Sequence, residues 1–277
     1  RTLLMKMRSV KFIKMQGLGN DFVIFFWDEP LPPKRKIQLI ANRKKGVGCD
    51  LLVFLKKLDG KLANYEANFF NSDGSEAEIC GNALRCVGKL FFEKDQIKNS
   101  LIETKAGLID VEYINEEKIM VNIGVPKFKW QEIPMSKNLN YTDLGFNKKY
   151  LKKGFAVNIG NPHLIFFSEV LDAKLMESDA KKILQGNVFP EGVNISVVKI
   201  NSEKRISIIT FERGVGITEA CGTGACASVI AANKQNFVEK KVVVEMKGGV
   251  LEVEISEDDN ILMSGVAERV FDGSINI

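Results

Sequence analysis

The sequence predicts an α+β fold of two pseudo-symmetric, β-rich domains, each a barrel-like sheet around a central helix. Three observations lead there. First, the chain echoes itself at a spacing of 141 residues (221 − 80): "GLGNDFVIF" aligns with "NIGNPHLIFF", Asn20 over Asn161, and "FFNSDGSEAEICGN" aligns with "TFERGVGITEACGT", Cys80 over Cys221. Second, most segments between turn signals alternate apolar and polar residues with the period of a half-buried strand. Third, the two segments that follow Cys80 and Cys221 are apolar or small on several faces, as a helix surrounded by sheet must be.

The elements follow in order. "VKFIKM" reads as a strand, and Pro33–Arg43 as a helix with proline at its start. Gly81 to about Glu93 reads as the first central helix. "GLIDVEYI" and "KIMVNIG" read as strands, and "ETKAGLIDVE" has its own echo in "EMKGGVLEVE". Asp172–Gln185 is the next helical pattern. "RISIITFE", the helix Gly222 to about Asn233, "VVVEMKGGVLEVEI" and "NILMSG" repeat the earlier order. A period this long makes each copy a domain rather than a solenoid repeat. We place the boundary near "IGVPKFKW", giving domains of residues 1–125 and 126–267, with 268–277 returning to the first as a strand. The active surface is expected where the two copies face each other.

Bulk properties exclude several classes. Hydrophobic residues make up 45% of the 277 positions, enough for a sizeable core. The formal charge of +4, from 39 Lys and Arg against 35 Asp and Glu, is scattered rather than blocked, so no nucleic-acid surface is expected. No apolar run approaches the roughly 20 residues that cross a bilayer, and no secretory signal pattern opens the chain, so no membrane partner is expected and a cytoplasmic location is. Residues 1–6 carry no functional weight. Five cysteines without close pairing suit a reducing compartment. With no Cys-x-x-Cys and His163 as the one histidine, no metal site is expected.

The placement of two thiols is the functional signal. Cys80 and Cys221 each precede a glycine and a helix, Gly81 and Gly222 being the first helical residues. Unpaired backbone N–H groups and the positive end of the helix dipole therefore point at each sulfur. That environment favours a thiolate, and the same N–H groups can hold a carboxylate, with Asn82 and Thr223 as side-chain partners. Two such thiols on opposite sides of a ligand form an acid–base pair able to invert a carbon centre. Cys49, Cys86 and Cys226 read as packing residues instead. Asn20, Asn71, Asn161 and Asn194 stand beside glycines or before the cysteine helices. His163 and Glu212 together form a candidate pair for tuning thiol protonation.

These motifs make the chain resemble the diaminopimelate epimerases, from "KMQGLGNDFVIF" through "FNSDGSEAEICGNALRC", "GNPHLIFF", "FPEGVNISVV" and "FERGVGITEACGTGACAS". The resemblance covers nearly the whole chain. It implies a cofactor-independent epimerase of LL- and meso-diaminopimelate, with Cys80 and Cys221 as the acid–base pair and a homodimeric state. It implies substrate contacts from Asn20, Asn71, Gly81, Asn82, Asn161, Asn194, Glu212, Arg213, Gly222 and Thr223, with His163 and Glu212 adjusting the cysteines. Arg213 suits a carboxylate clamp, its planar fork matching two oxygens. Two departures stand out: Leu51 occupies a place where the family commonly has Gln or Gly, and Ala83 followed by Leu84 stands where Gly usually follows Cys-Gly-Asn. Other amino-acid racemases on the same scaffold, a non-catalytic binding paralogue and a thiol redox protein are the alternatives.

Overall fold

The computed structural model describes residues 8–59 and 62–276, so residues 1–6 lie outside the described part. The chain forms two compact units. One runs to Ile119 and takes the chain back from Val266; the other is Met120–Gly265.

In the first unit, the strand Ser9–Gly17 pairs antiparallel with Asn20–Phe26 across a tight turn. Leu18 and Gly19 both have positive φ in that turn, the backbone a two-residue hairpin requires. Asn20–Phe26 runs parallel to Leu51–Lys57, which continues antiparallel to Tyr65–Asn71. That strand runs parallel to Asn99–Thr104, which turns back antiparallel as Gly107–Asn115. Glu268–Asn276 closes the other edge by pairing with Ser9–Gly17. Helix α1 (Lys34–Ala41) covers an apolar cluster that includes Phe12, Phe25, Leu52 and Phe54. Helix α2 (Gly81–Asp95) packs against Ser9–Gly17, Asn99–Thr104 and Gly107–Asn115, with every residue from Gly81 to Gly88 buried. Gly88 is small for a packing reason, because a Cβ there would come within 2.5 Å of the Val111 side chain.

The second unit repeats the order. Phe155–Asn158 pairs antiparallel with Pro162–Phe167, which runs parallel to Asn194–Ser202. Arg205–Glu212 follows antiparallel, then Lys241–Met246 parallel to it, then Gly249–Ile255 antiparallel. Ile261–Gly265 extends this edge. Helix α3 (Ala173–Leu184) has Asp172 as its cap, the carboxylate accepting from Leu175 N at 2.9 Å. Helix α4 (Gly222–Lys234) is buried almost throughout and packs against Phe155–Asn158, Pro162–Phe167, Asn194–Ser202 and Gly249–Ile255. Its small residues, Gly222, Gly224, Ala225 and Ala227 among them, let strands approach on several sides. Among the described residues no helix is long and apolar enough to cross a membrane. The expected helices are present within two residues of their ends. The short strands Phe146–Asn147 and Lys152–Lys153 have no alternating signal and were not foreseen.

Strand register sharpens the internal equivalence. Phe22 pairs with Leu51, and Leu51 with Asn71. His163 pairs with Asn194, whose strand is in turn antiparallel to the one ending at Glu212, with Ile195 opposite Phe211. Phe22, Leu51 and Asn71 are thus the counterparts of His163, Asn194 and Glu212. Leu51 therefore stands where the other copy has an asparagine.

Candidate active site

Both cysteines cap their helices in one backbone conformation. Cys80 has φ −139° and ψ 106°, Cys221 φ −133° and ψ 109°. Ala83 and Leu84, buried on α2, leave the helix start where the other copy has it, at the glycine after the cysteine. Leu84 N and Ala225 N make the first helical bonds, to Cys80 O and Cys221 O. The N–H groups of the first turn before them point out of the helix end, as helix geometry dictates.

In the first unit, Cys80 Sγ lies 3.9 Å from Asn20 Oδ1, within reach of a weak S–H donor. The Asn20 amide is turned by Asp50, whose Oδ2 accepts from Asn20 Nδ2 at 3.0 Å and from Asp21 N at 3.1 Å. Asp50 is itself fixed: Arg43 Nη2 donates to its Oδ1 at 2.7 Å, and its backbone N–H donates to Asp21 Oδ1 at 2.9 Å. Lys14, nearly buried, and Arg43 both bind Asp21. Burial alone would raise the Asp21 carboxyl, but the hydrogen bonds from Arg43 and Lys14 outweigh it and hold the group well below the usual carboxylate range. Sequence reasoning missed this network because Asp21, Asp50 and Arg43 lie in three separate segments. Asn71 makes its hydrogen bonds within its own turn, with Ser75. Asn82 is buried, and its Oδ1 lacks a hydrogen-bond partner among the described residues.

In the second unit four predicted residues form one hydrogen-bonded series. His163 Nε2 lies 2.8 Å from Asn161 Oδ1, Asn161 Nδ2 donates to Thr223 Oγ1 at 3.3 Å, and Thr223 Oγ1 lies 3.6 Å from Cys221 Sγ. Gly224 N also donates to Cys221 Sγ, at 3.3 Å. His163 is fully buried; that burial, helped by the charge of Arg213, pushes its imidazole down to about 3, so it is neutral at physiological pH. Because an amide oxygen only accepts, the Nε2 of this neutral ring carries the proton.

The Asn194 amide is a tie between loops, its Oδ1 accepting from Arg213 N at 2.9 Å and its Nδ2 donating to Pro162 O at 3.2 Å. Arg213 is exposed, with Nη1 donating to Glu191 O at 2.8 Å. Gly192, at φ +76°, makes room for it, since a Cβ there would sit 2.7 Å from Arg213 Cδ. Glu212 accepts from Thr218 Oγ1 at 2.6 Å. His163 is thus joined to Asn161, and Glu212 to Thr218.

The other cysteines are buried. Burial pushes the thiols of Cys49 and Cys86 up to about 12, where neither is a nucleophile or base at neutral pH.

Comparison with known proteins bears on these features together. Residues 12–129 and 155–270 match the family model described as diaminopimelate epimerase. The diaminopimelate epimerase of Sphingopyxis alaskensis is 39% identical over 267 residues, covering 95% of this chain and 96% of that protein. That of Methanocaldococcus jannaschii is 38% identical over 292 residues, with coverages of 96% and 98%. Among solved structures, a hydroxyproline epimerase from Agrobacterium vitis with bound trans-4-hydroxy-L-proline superposes with TM-score 0.72 at 12% identity, covering 98% of this chain and 93% of that one. A PhzF-family phenazine biosynthesis protein from Bacillus anthracis superposes with TM-score 0.70 at 19% identity, with coverages of 98% and 100%. At those identities the two structures speak for the fold, a two-domain sheet architecture.

Proposed function

The chain belongs to the diaminopimelate epimerase family, and on that premise we propose that it interconverts LL- and meso-2,6-diaminopimelate without a cofactor, on the route to lysine and peptidoglycan precursors. The observation that carries the proposal is the repeated cap: two thiols in separate copies, each at a helix N-terminus with the same backbone angles. A binding protein has no need of two matched thiols.

The chemistry requires both sulfurs to reach one α-carbon from opposite faces. One, as thiolate, takes the α-proton; the other, as thiol, gives its proton to the opposite face, and the two end the turnover with protonation exchanged. First-turn N–H groups of α2 and α4, with Asn82 and Thr223, hold carboxylate, and Arg213 supplies a bidentate cationic clamp. Asn20, Asn71, Asn161, Asn194 and Glu212 complete the contacts to the amino and distal groups. An amino-acid α-proton is very weakly acidic, so donors fixed before the substrate arrives supply much of the barrier lowering.

The test is incorporation of solvent deuterium at the α-carbon of LL-diaminopimelate, followed by mass spectrometry. Wild type exchanges and epimerises; Cys80→Ala and Cys221→Ala each lose at least about 10²–10⁴-fold in epimerisation. Full activity in either variant sinks the mechanism. Proline and hydroxyproline assayed alongside separate the diaminopimelate reading from that of another racemase on this scaffold. A homodimer is part of the same proposal, and light scattering on the purified protein reads it directly.

A further inference from the structure

The two asparagines at equivalent positions present opposite ends of their amides. In the first unit, the Asp50 carboxylate can only accept, so it draws the amide N–H₂ of Asn20 to itself and leaves Oδ1 towards Cys80. In the second unit, the corresponding anchor is His163, whose Nε2–H takes the amide oxygen of Asn161 and leaves N–H₂ towards Thr223. The Thr223 hydroxyl, accepting from Asn161, keeps its own proton for Cys221 Sγ, where Gly224 N also donates.

We infer that Asp50 and His163 turn these paired amides in opposite senses, making Cys221 the thiolate and Cys80 the thiol of the resting enzyme. An oxygen aimed at sulfur accepts S–H and favours the protonated form; N–H and O–H donors aimed at sulfur favour the anion. Asp50 and His163 touch no substrate in this scheme, and are positioning residues that act through Asn20, Asn161 and Thr223. The inference rests on the two-cysteine reading. It adds the protonation state from which turnover begins: for the isomer that presents its α-proton to Cys221, that proton passes to Cys221 Sγ and the S–H proton of Cys80 passes to the opposite face of the carbon, and the other isomer is met after the proton has moved from Cys80 to Cys221.

Other charged residues lie on the elements that carry these side chains. In the first unit they are Asp21 and Asp50 at Asn20, Glu78 just before the cap and Arg85 on α2. In the second they are Glu212, which ends the strand Arg205–Glu212, Arg213 after it, and Glu219, Glu245 and Lys247, which line one cavity with Cys221. Histidine to phenylalanine at position 163 replaces one neutral side chain by another and leaves all of these in place. It also installs the residue the first unit uses at the matching position, Phe22.

The experiment is NMR titration of protein labelled with ¹³Cβ-cysteine, assigned with Cys80→Ala and Cys221→Ala. It reads protonation without needing access to the buried thiols. In wild type, Cys221 titrates about one pH unit or more below Cys80, the size of one charge-assisted hydrogen bond. His163→Phe raises the Cys221 midpoint and leaves Cys80 in place; His163→Gln, which keeps an N–H donor, restores it. Thr223→Val raises it likewise and carries the test if His163→Phe fails to fold. Asp50→Asn lets the Asn20 amide turn and lowers Cys80, and does so equally at 0.05 and 0.5 M salt on the order of the range in which a bare charge effect would be screened. Equal midpoints, the reverse order, or an unmoved Cys221 in both His163→Phe and Thr223→Val overturns the inference. No substrate is involved, so the two proposals fail separately. A protein that titrates in this order but does not exchange the α-proton of LL-diaminopimelate loses the epimerase reading and keeps this one.

Discussion

The two copies share backbone geometry and diverge in what stands behind it. At matching strand positions the first unit has Phe22, Leu51, Val53 and Phe69, and the second His163, Asn194, Ser196 and Thr210. Val53 pairs with Phe69, whereas Ser196 and Thr210 are hydrogen-bonded at 2.9 Å with both side chains buried. The first unit places its polar machinery in charged residues nearer the surface: Asp21, Lys14, Arg43 and Asp50. The difference teaches that buried polar residues change in sets. A single buried hydroxyl or amide without a partner costs free energy, while a complete network does not. The second unit's set joins Ser196 to Thr210 and His163 Nε2 to Asn161, and its one cost among these groups is His163 Nδ1, buried without a hydrogen-bond partner among the described residues.

The largest test of this contrast is removal of the hydroxyl that links Asn161 to Cys221. Thr223→Val keeps shape and takes away a hydrogen-bond donor and acceptor. A fall of about 10–100-fold in kcat/KM is expected, equivalent to one or two hydrogen bonds to a charged group. Steady-state kinetics with LL-diaminopimelate read it, and unchanged kcat/KM would make the series ornamental to catalysis.

Next in size is the exchange of small residues at the third helical position. Gly224 has no room for a side chain: a Cβ would lie 2.8 Å from Thr210 Oγ1, 3.2 Å from Ser196 Oγ and 3.2 Å from Cys221 Sγ. Its counterpart, Ala83, is accommodated fully buried in the first unit. Gly224→Ala should cost about 1–3 kcal/mol of stability by overpacking, and Ala83→Gly about 1 kcal/mol through helix propensity. Urea denaturation with equal m-values checks both. If Gly224→Ala is neutral, the polar set tolerates more than its spacing indicates.

Leucine 51 is the next point of comparison. Asn194 is held from both ends by backbone groups, at Arg213 N and Pro162 O. Asn194→Leu takes the acceptor from Arg213 N and the donor from Pro162 O at a buried position and should destabilise by about 1–3 kcal/mol. Leu51→Asn puts an amide at a nearly buried site whose matching neighbour, Phe22, offers no hydrogen bond, and should cost about 1–2 kcal/mol. A stabilising Leu51→Asn, measured by the same denaturation, would show that the first unit already has partners for it.

How much of this was legible in the sequence depended on distance along the chain. The duplication, the helix caps, and the packing role of Cys49, Cys86 and Cys226 could be read because each lies in a short motif. The equivalence of Leu51 and Asn194 could not, because the repeat slips there: 143 positions separate them, against 141 for the cysteines, as the stretch containing α3 is two residues longer than that containing α1. Read at a fixed offset, Asn194 falls on Val53 and Leu51 looks like an isolated departure. Asp50 was passed over for another reason. Its role is to orient an amide, and orientation appears only when Asn20, Asp50 and Arg43 are brought together by strand pairing.

The smallest effect separates the two supports by pH. An unfolded histidine titrates near its ordinary value of 6.5 and His163 in the fold near 3, so between those limits the unfolded chain binds a proton that the folded chain does not. Stability is therefore complete above pH 6.5 and falls as pH drops, by about 1 kcal/mol between pH 7 and 5.5 for one such group. In the first unit Phe22 contributes nothing there, and Asp21, with its carboxyl held below the ordinary 3.8, releases stability only as pH falls below that value. Urea midpoints at pH 7 and 5.5 should differ in wild type and converge in His163→Phe. Hydrogen exchange resolved by residue should show amides of Pro162–Phe167 losing protection over that interval before those of Asn20–Phe26. Equal acid sensitivity of the two strands would mean that a buried neutral histidine and a phenylalanine are interchangeable supports, and that the polar set serves the thiol rather than the fold.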